Sequence, residues 1–74
     1  MSPEAYKRLK EDLYLTTHRP NADWFTAQLY RLFNKADANN KRRLAIGFPD
    51  HYQVWLDWYN APNEREFFAE FIDE

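Results

Sequence analysis

Two histidines, His18 and His51, are the first places to look for chemistry in this chain. An imidazole titrates near neutral pH and serves as a general base or a metal ligand. Zinc needs three or four ligands at suitable spacing. Here the two histidines stand 33 positions apart and there is no cysteine. His51 follows Asp50, so an acid–base dyad is conceivable, but no nucleophile accompanies it: the only serine, Ser2, is at the N-terminus. His18 falls in an expected loop and His51 in the first turn of an expected helix, where both read as surface or capping residues. Asp37-Ala38-Asn39-Asn40-Lys41 opens like a calcium loop. The pattern then fails, with Lys41 at the fifth position, Arg42 where the sharp turn needs glycine, and Phe48 in place of the bidentate acid at the twelfth. Glu66 and Glu70 share an expected helix face at i,i+4. Paired-carboxylate catalysis needs a cleft that raises one pKa and positions a substrate, and so short a helical chain rarely encloses one. The expectation is therefore a non-enzymatic protein with no metal and no cofactor.

Lys41-Arg42-Arg43 is the one run of basic residues. Arg31 and Lys35 extend it on the expected second helix. Cations beside aromatic rings suit a single-stranded nucleic acid, where charge tracks phosphates and rings stack on bases. Against this, three consecutive charges spread around a helix, and the sequence pI is 5.6 rather than above about 9. Residues 1–49 carry nine Lys/Arg against five Asp/Glu, and residues 50–74 carry Arg65 alone against seven acids. A +4 part and a −6 part either attract each other within the fold or offer two faces to two partners.

The elements that must position these groups are legible from punctuation and period. Fourteen residues are aromatic and only one is glycine. Ring packing must replace the staples that chains below roughly 70–80 residues usually need. A single glycine argues against a β meander, which spends glycine on its turns. The spacing predicts an all-α fold of four or five short helices in a single domain, residues 1–74, around an aromatic-rich core. Ser2-Pro3-Glu4 caps and opens a first helix, Pro3–Leu15, which Thr16-Thr17-His18-Arg19-Pro20 breaks. Asn21 caps a second, Ala22–Ala36, with Asp23 in its first turn and the cleanest apolar stripe in the chain: Phe25, Leu29, Leu32, Phe33 and Ala36. Asp37 caps a third, Ala38–Ile46, with Leu44 and Ile46 buried and Gly47 as a left-handed cap. Pro49 starts a fourth running to about Tyr59, apolar over so much of its circumference that it belongs at the centre or leaves an aromatic edge exposed. Asn63 and Glu66 cap a last short helix carrying Phe67, Phe68, Phe71 and Ile72. Phe25, Leu29, Phe33, Trp55, Phe68 and Phe71 form the expected core.

Lys35-Ala36-Asp37, Asn40, Arg43-Leu44, Gly47-Phe48-Pro49 and Trp55 together resemble a pattern in small uncharacterised proteins of phages and other mobile elements. The resemblance covers about 20 residues. It implies a cytosolic accessory protein acting on host defence or regulation. The N-terminus lacks the basic and apolar regions of a signal peptide, and no apolar run approaches the ~18–20 residues of a membrane span. These residues point to a cytoplasmic protein-interaction module that binds a protein partner or a second copy of itself. Trp, Tyr and Arg are the usual interface anchors. Trp24, Arg42, Trp58 and Tyr59 are the candidates, since they lie off the cleanest core stripes. The alternative is a weak nucleic-acid-binding accessory protein using Arg31, Lys35, Lys41, Arg42 and Arg43.

Overall fold

In the computed structural model of the chain, residues 1–72 are described; Asp73 and Glu74, which the acidic count includes, lie outside them. Five α-helices follow one another: α1 (Pro3–His18), α2 (Phe25–Lys35), α3 (Ala38–Gly47), α4 (Pro49–Asn60) and α5 (Glu64–Phe67). A 3-10 turn, Ala69–Phe71, closes the described chain. No strand occurs among the described residues, so the fold is all-α.

Three of the four expected caps hold. The Ser2 hydroxyl accepts the Ala5 N–H, the Asp37 carboxylate accepts that of Asn40, and the Asn63 side chain accepts that of Glu66. Each satisfies a backbone donor that a helix start leaves orphaned. Asn21 does not cap α2. That helix starts at Phe25 with Trp24 as an N-cap that makes no side-chain bond. The reason is a tether: the Ala22 N–H binds the Arg19 carbonyl, and the Arg31 guanidinium binds the Ala22 carbonyl. Pro20 and Asn21 form a turn, and Asp23 stays outside the helix.

The first helix also runs past its expected end. Thr16 and Thr17 donate their hydroxyls to the carbonyls of Asp12 and Tyr14, so both β-branched residues are accommodated in helix. The stop comes at Arg19, which Pro20 steers away from helical geometry. His18 is thus the last residue of α1 rather than part of a loop. Gly47 is not a left-handed cap. It is the last residue of α3, no glycine has positive φ, and Phe48 links α3 directly to α4. Glu66 and Glu70 do not share a helix face either, because α5 ends at Phe67.

The core comprises Leu13, Leu29, Tyr30, Phe33, Val54, Trp55 and Phe68. Four of the six expected core residues are in it. Phe71 packs against it half-buried, and Phe25 is 66% exposed. Ile46 was expected inside and is 77% exposed, while Leu44 is half-buried. On α2 the buried residues Ala27, Leu29, Tyr30 and Phe33 lie roughly a quarter turn around from the stripe read in sequence. Tyr30 explains the rotation. Its ring is fully buried and its hydroxyl donates to the Leu9 carbonyl of α1 at 2.9 Å, a bond that lets a phenol sit in a core.

The fourth helix is central, packing against α1, α2 and α3. Tyr6 of α1 donates to Asp57 Oδ2 at 2.6 Å, and Gln53 donates to Oδ1 of the same carboxylate. That carboxylate, with burial, holds the Tyr6 hydroxyl well above its ordinary pKa; burial comes first among the causes. Lys10 of α1 pairs with Glu70 at 2.9 Å, tying the C-terminal turn to the N-terminal helix. Here a basic and an acidic part of the chain do attract each other.

Candidate functional site

The third helix packs against α4 and stands off from α2. A groove follows from that spacing. Its larger reach, about 550 Å3, is lined by Leu32, Lys35, Ala36, Asp37, Asn40, Arg43, Leu44 and Phe48. A second reach of about 320 Å3 shares Leu32, Leu44 and Phe48 and adds Phe25, Gln28 and Leu29. The two are one trough. Phe33 lies in the core, and the other four residues of the α2 stripe that the sequence presents as the best core face form the groove's floor: Phe25, Leu29, Leu32 and Ala36. Of these only Leu29 is fully buried; Leu32 is 47% exposed. Phe25 meets Phe48 with ring centroids 5.9 Å apart and leaves most of its surface open to solvent.

The structure separates the candidate residues into different places. Lys35 and Arg43 line the groove. Arg31 does not: its guanidinium binds the Ala22 carbonyl and reaches those of Arg19 and Pro20 at 3.4 Å. Lys41 turns the other way, its ammonium 5.1 Å from the centre of the Trp55 ring and 5.9 Å from that of Tyr59. Arg42 is exposed. Lys41 and Tyr59, drawn from the two different candidate sets, therefore meet over Trp55, while the five basic residues form no single patch.

The aromatic candidates are likewise dispersed. Tyr59 stacks on Trp55 at 5.1 Å and is 65% exposed. Trp58 is half-buried, and its indole N–H donates to Glu64. Trp24 stands exposed at the start of α2, within electrostatic reach of the Asp12 carboxyl. Burial pushes that carboxyl up, with Glu11 adding to it, while His51, Trp24 and Arg8 oppose the shift.

His51 lies between the rings of Tyr30 and Phe48, at 6.0 and 5.9 Å. Burial holds its imidazole below the ordinary value, against the pull of Asp50 and Asp12. His18 packs on Tyr14, and its Nδ1 lies 2.9 Å from the Tyr14 carbonyl. Among the described residues no group of three or more His, Asp or Glu side chains is placed to hold a metal ion. No described helix is long and apolar enough to cross a membrane. The Ser2 hydroxyl is taken up in capping α1.

Sequence reasoning missed the groove, although its signal was present. The stripe Phe25, Leu29, Leu32, Phe33, Ala36 is visible in the sequence, and so is the apolar continuation through Ala27 and Tyr30. Together they cover more of α2 than one neighbouring surface can bury. Compared with known proteins, the chain matches no family model, no curated protein and no solved structure.

Proposed function

We propose that this chain is a non-enzymatic protein-interaction module that docks a helical segment of a partner protein in the groove between α2 and α3. The observation behind this reading is the uncovered stripe of α2: Phe25 and Leu32 exposed, side by side with half-buried Leu44 and Phe48, along a trough of about 550 Å3. Contiguous apolar surface of this kind marks an interaction site, whereas single exposed side chains do not.

A helix is favoured over an extended segment on hydrogen-bonding grounds. Strand addition needs a sheet edge with free N–H and C=O groups, and the described fold has no strand. The groove is floored by side chains, with the Asn40 and Gln28 amides among its few neutral polar groups. A docked helix satisfies its own backbone and needs only apolar contact, the mode in which residues at i, i+3, i+4 and i+7 act as anchors. We place the activity in the cytosol, which a cysteine-free chain suits.

A photo-crosslinking residue placed at Leu32, with a control at exposed Gln53 on α4, tests the reading. The partner captured is then purified and its affinity measured against wild type and Leu32→Asp. The expected result is capture from position 32 but not 53, and a loss of at least about tenfold in affinity, or 1.4 kcal/mol. The variant should melt as wild type does, because Leu32 is outside the core. Equal capture from both positions, or unchanged affinity in Leu32→Asp, overturns the proposal.

A further inference from the structure

The groove has an electrical polarity along its length. Its larger reach carries Lys35 and Arg43, and neither makes an ion pair with a described residue. The one carboxylate lining that reach, Asp37, accepts the Asn40 N–H at 2.8 Å as the cap of α3. The smaller reach, around Phe25, Gln28 and Leu29, is lined by no charged side chain. One end is therefore apolar and cationic, the other apolar and neutral.

Resting on the docking reading above, we propose that the occupant is an acidic amphipathic helix of a partner protein. Its apolar side chains fill the trough, and carboxylates at one end pair with Lys35 and Arg43. From Phe25 to Ala36 the α2 wall runs for about 17 Å at 1.5 Å per residue, which matches about three turns of a ligand helix. Arginine gives a planar fork for one carboxylate and lysine a point charge for another. These pairs lie at the rim of an apolar contact, so they select the partner more than they tighten it.

Two other occupants fit the observations less well. A single-stranded nucleic acid needs rings offered as flat faces beside several cations. Phe25 is instead tilted by 52° against Phe48, and two cations are present. A second copy of this chain would have to offer its acidic segment, residues 64–72. There Phe68 is locked in the core and Glu70 is paired with Lys10.

Three synthetic helices of about 15 residues, some four turns, test the idea on the full-length protein. They share one apolar face and carry Glu, Gln or Lys at the same flanking positions. Affinity is read by fluorescence anisotropy and the site by amide shifts in NMR spectra. The Glu peptide should bind roughly two- to thirtyfold more tightly than the Gln peptide, the span expected for two exposed ion pairs. Its shifts should centre on residues of α2 and α3 that line the groove, and its advantage should shrink with added salt. In the double variant Lys35→Glu with Arg43→Glu, preference should pass to the Lys peptide. Equal binding of all three peptides in the groove would sink the acidic occupant while leaving the docking reading intact. Absence of groove shifts with every peptide, or binding untouched by Leu32→Asp, would sink both. Concentration-dependent dimerisation abolished by Leu32→Asp, or displacement of the Glu peptide by a single-stranded oligonucleotide, would give the groove to a different occupant and overturn the proposal.

Discussion

Trp55 is the side chain on which the fold depends most visibly, and truncating it yields the sharpest test of the packing described above. Its ring is 2% exposed. It stacks between Tyr52 at 6.1 Å and Tyr59 at 5.1 Å, and meets Phe33 at 5.9 Å. Its indole N–H donates to Asn34 Oδ1 at 3.0 Å, which fixes the ring's rotation. Removing a buried Trp side chain costs about 3–5 kcal/mol. The polar partners add little to that cost, because Asn34 is exposed and returns to water. Total stability for 74 residues is about 4–11 kcal/mol at ordinary values per residue. Trp55→Ala should therefore remove roughly a quarter of it at the least, and all of it at the low end of that range.

The control is Tyr59→Ala. Tyr59 belongs to the same stack but is mostly exposed, so its loss should cost no more than the ~0.5–1.5 kcal/mol of an aromatic pair. Urea unfolding followed by far-UV circular dichroism compares the two without relying on the lost fluorophore. With a slope of about 1 kcal/mol per molar for so small a chain, Trp55→Ala should lower the midpoint by roughly 3 M or unfold the protein outright. Tyr59→Ala should lower it by about 1.5 M at most. Equal costs for the two variants, or a Trp55→Ala midpoint close to wild type, would refute the reasoning.

Three further expectations follow from particular contacts. Gly47→Ala should raise stability by roughly 0.5–1 kcal/mol, since Gly47 is helical and a Cβ there meets nothing within 4 Å; a lower melting temperature would show a constraint the geometry lacks. The unfolded His51 takes up a proton at its ordinary pKa of 6.5 while the folded one resists. Stability should thus be full above that pH, fall as pH drops through 6.5 towards the folded value, and then level off. His51→Phe should flatten that slope, and an unchanged slope would assign it elsewhere. Backbone amides of α3 should exchange with solvent faster than those of α4, because α3 contains no fully buried residue; equal protection would show a rigid groove wall.

Local signals in the sequence located the helices better than they located the core. Ser2, Asp37 and Asn63 act through bonds to N–H groups three residues away, and Pro49 through its own fixed φ, so neighbours suffice to read them. The start of α2 could not be read this way. It depends on Arg31, nine positions from the Ala22 carbonyl it holds. Burial was harder still. Phe25 and Tyr30 both lie on apolar arcs of α2, and only the position of α1 decides between them. The Tyr30 hydroxyl finds its acceptor on Leu9, 21 positions away. The basic cluster dissolved for the same reason: Lys41 and Arg43, two positions apart, lie in different surroundings, one over Trp55 and one in the groove.

The exposed stripe of α2 follows from the way this small fold is closed. With α1 and α4 on its buried side, α2 already has neighbours enough to seal Ala27, Tyr30 and Phe33. The next apolar surface in the chain, that of α3, is drawn to α4 instead, through Lys41 over Trp55 and through Leu44 and Phe48 against the core. Nothing else among the described residues covers Phe25 and Leu32. Neither contributes to the core, so it is their contiguity along the groove, rather than the exposure of either one, that marks a contact surface. A phenylalanine and a leucine there, beside two cations that form no ion pair with a described residue, have a physical purpose if a partner completes the face. On that view another chain finishes the apolar pattern of the groove.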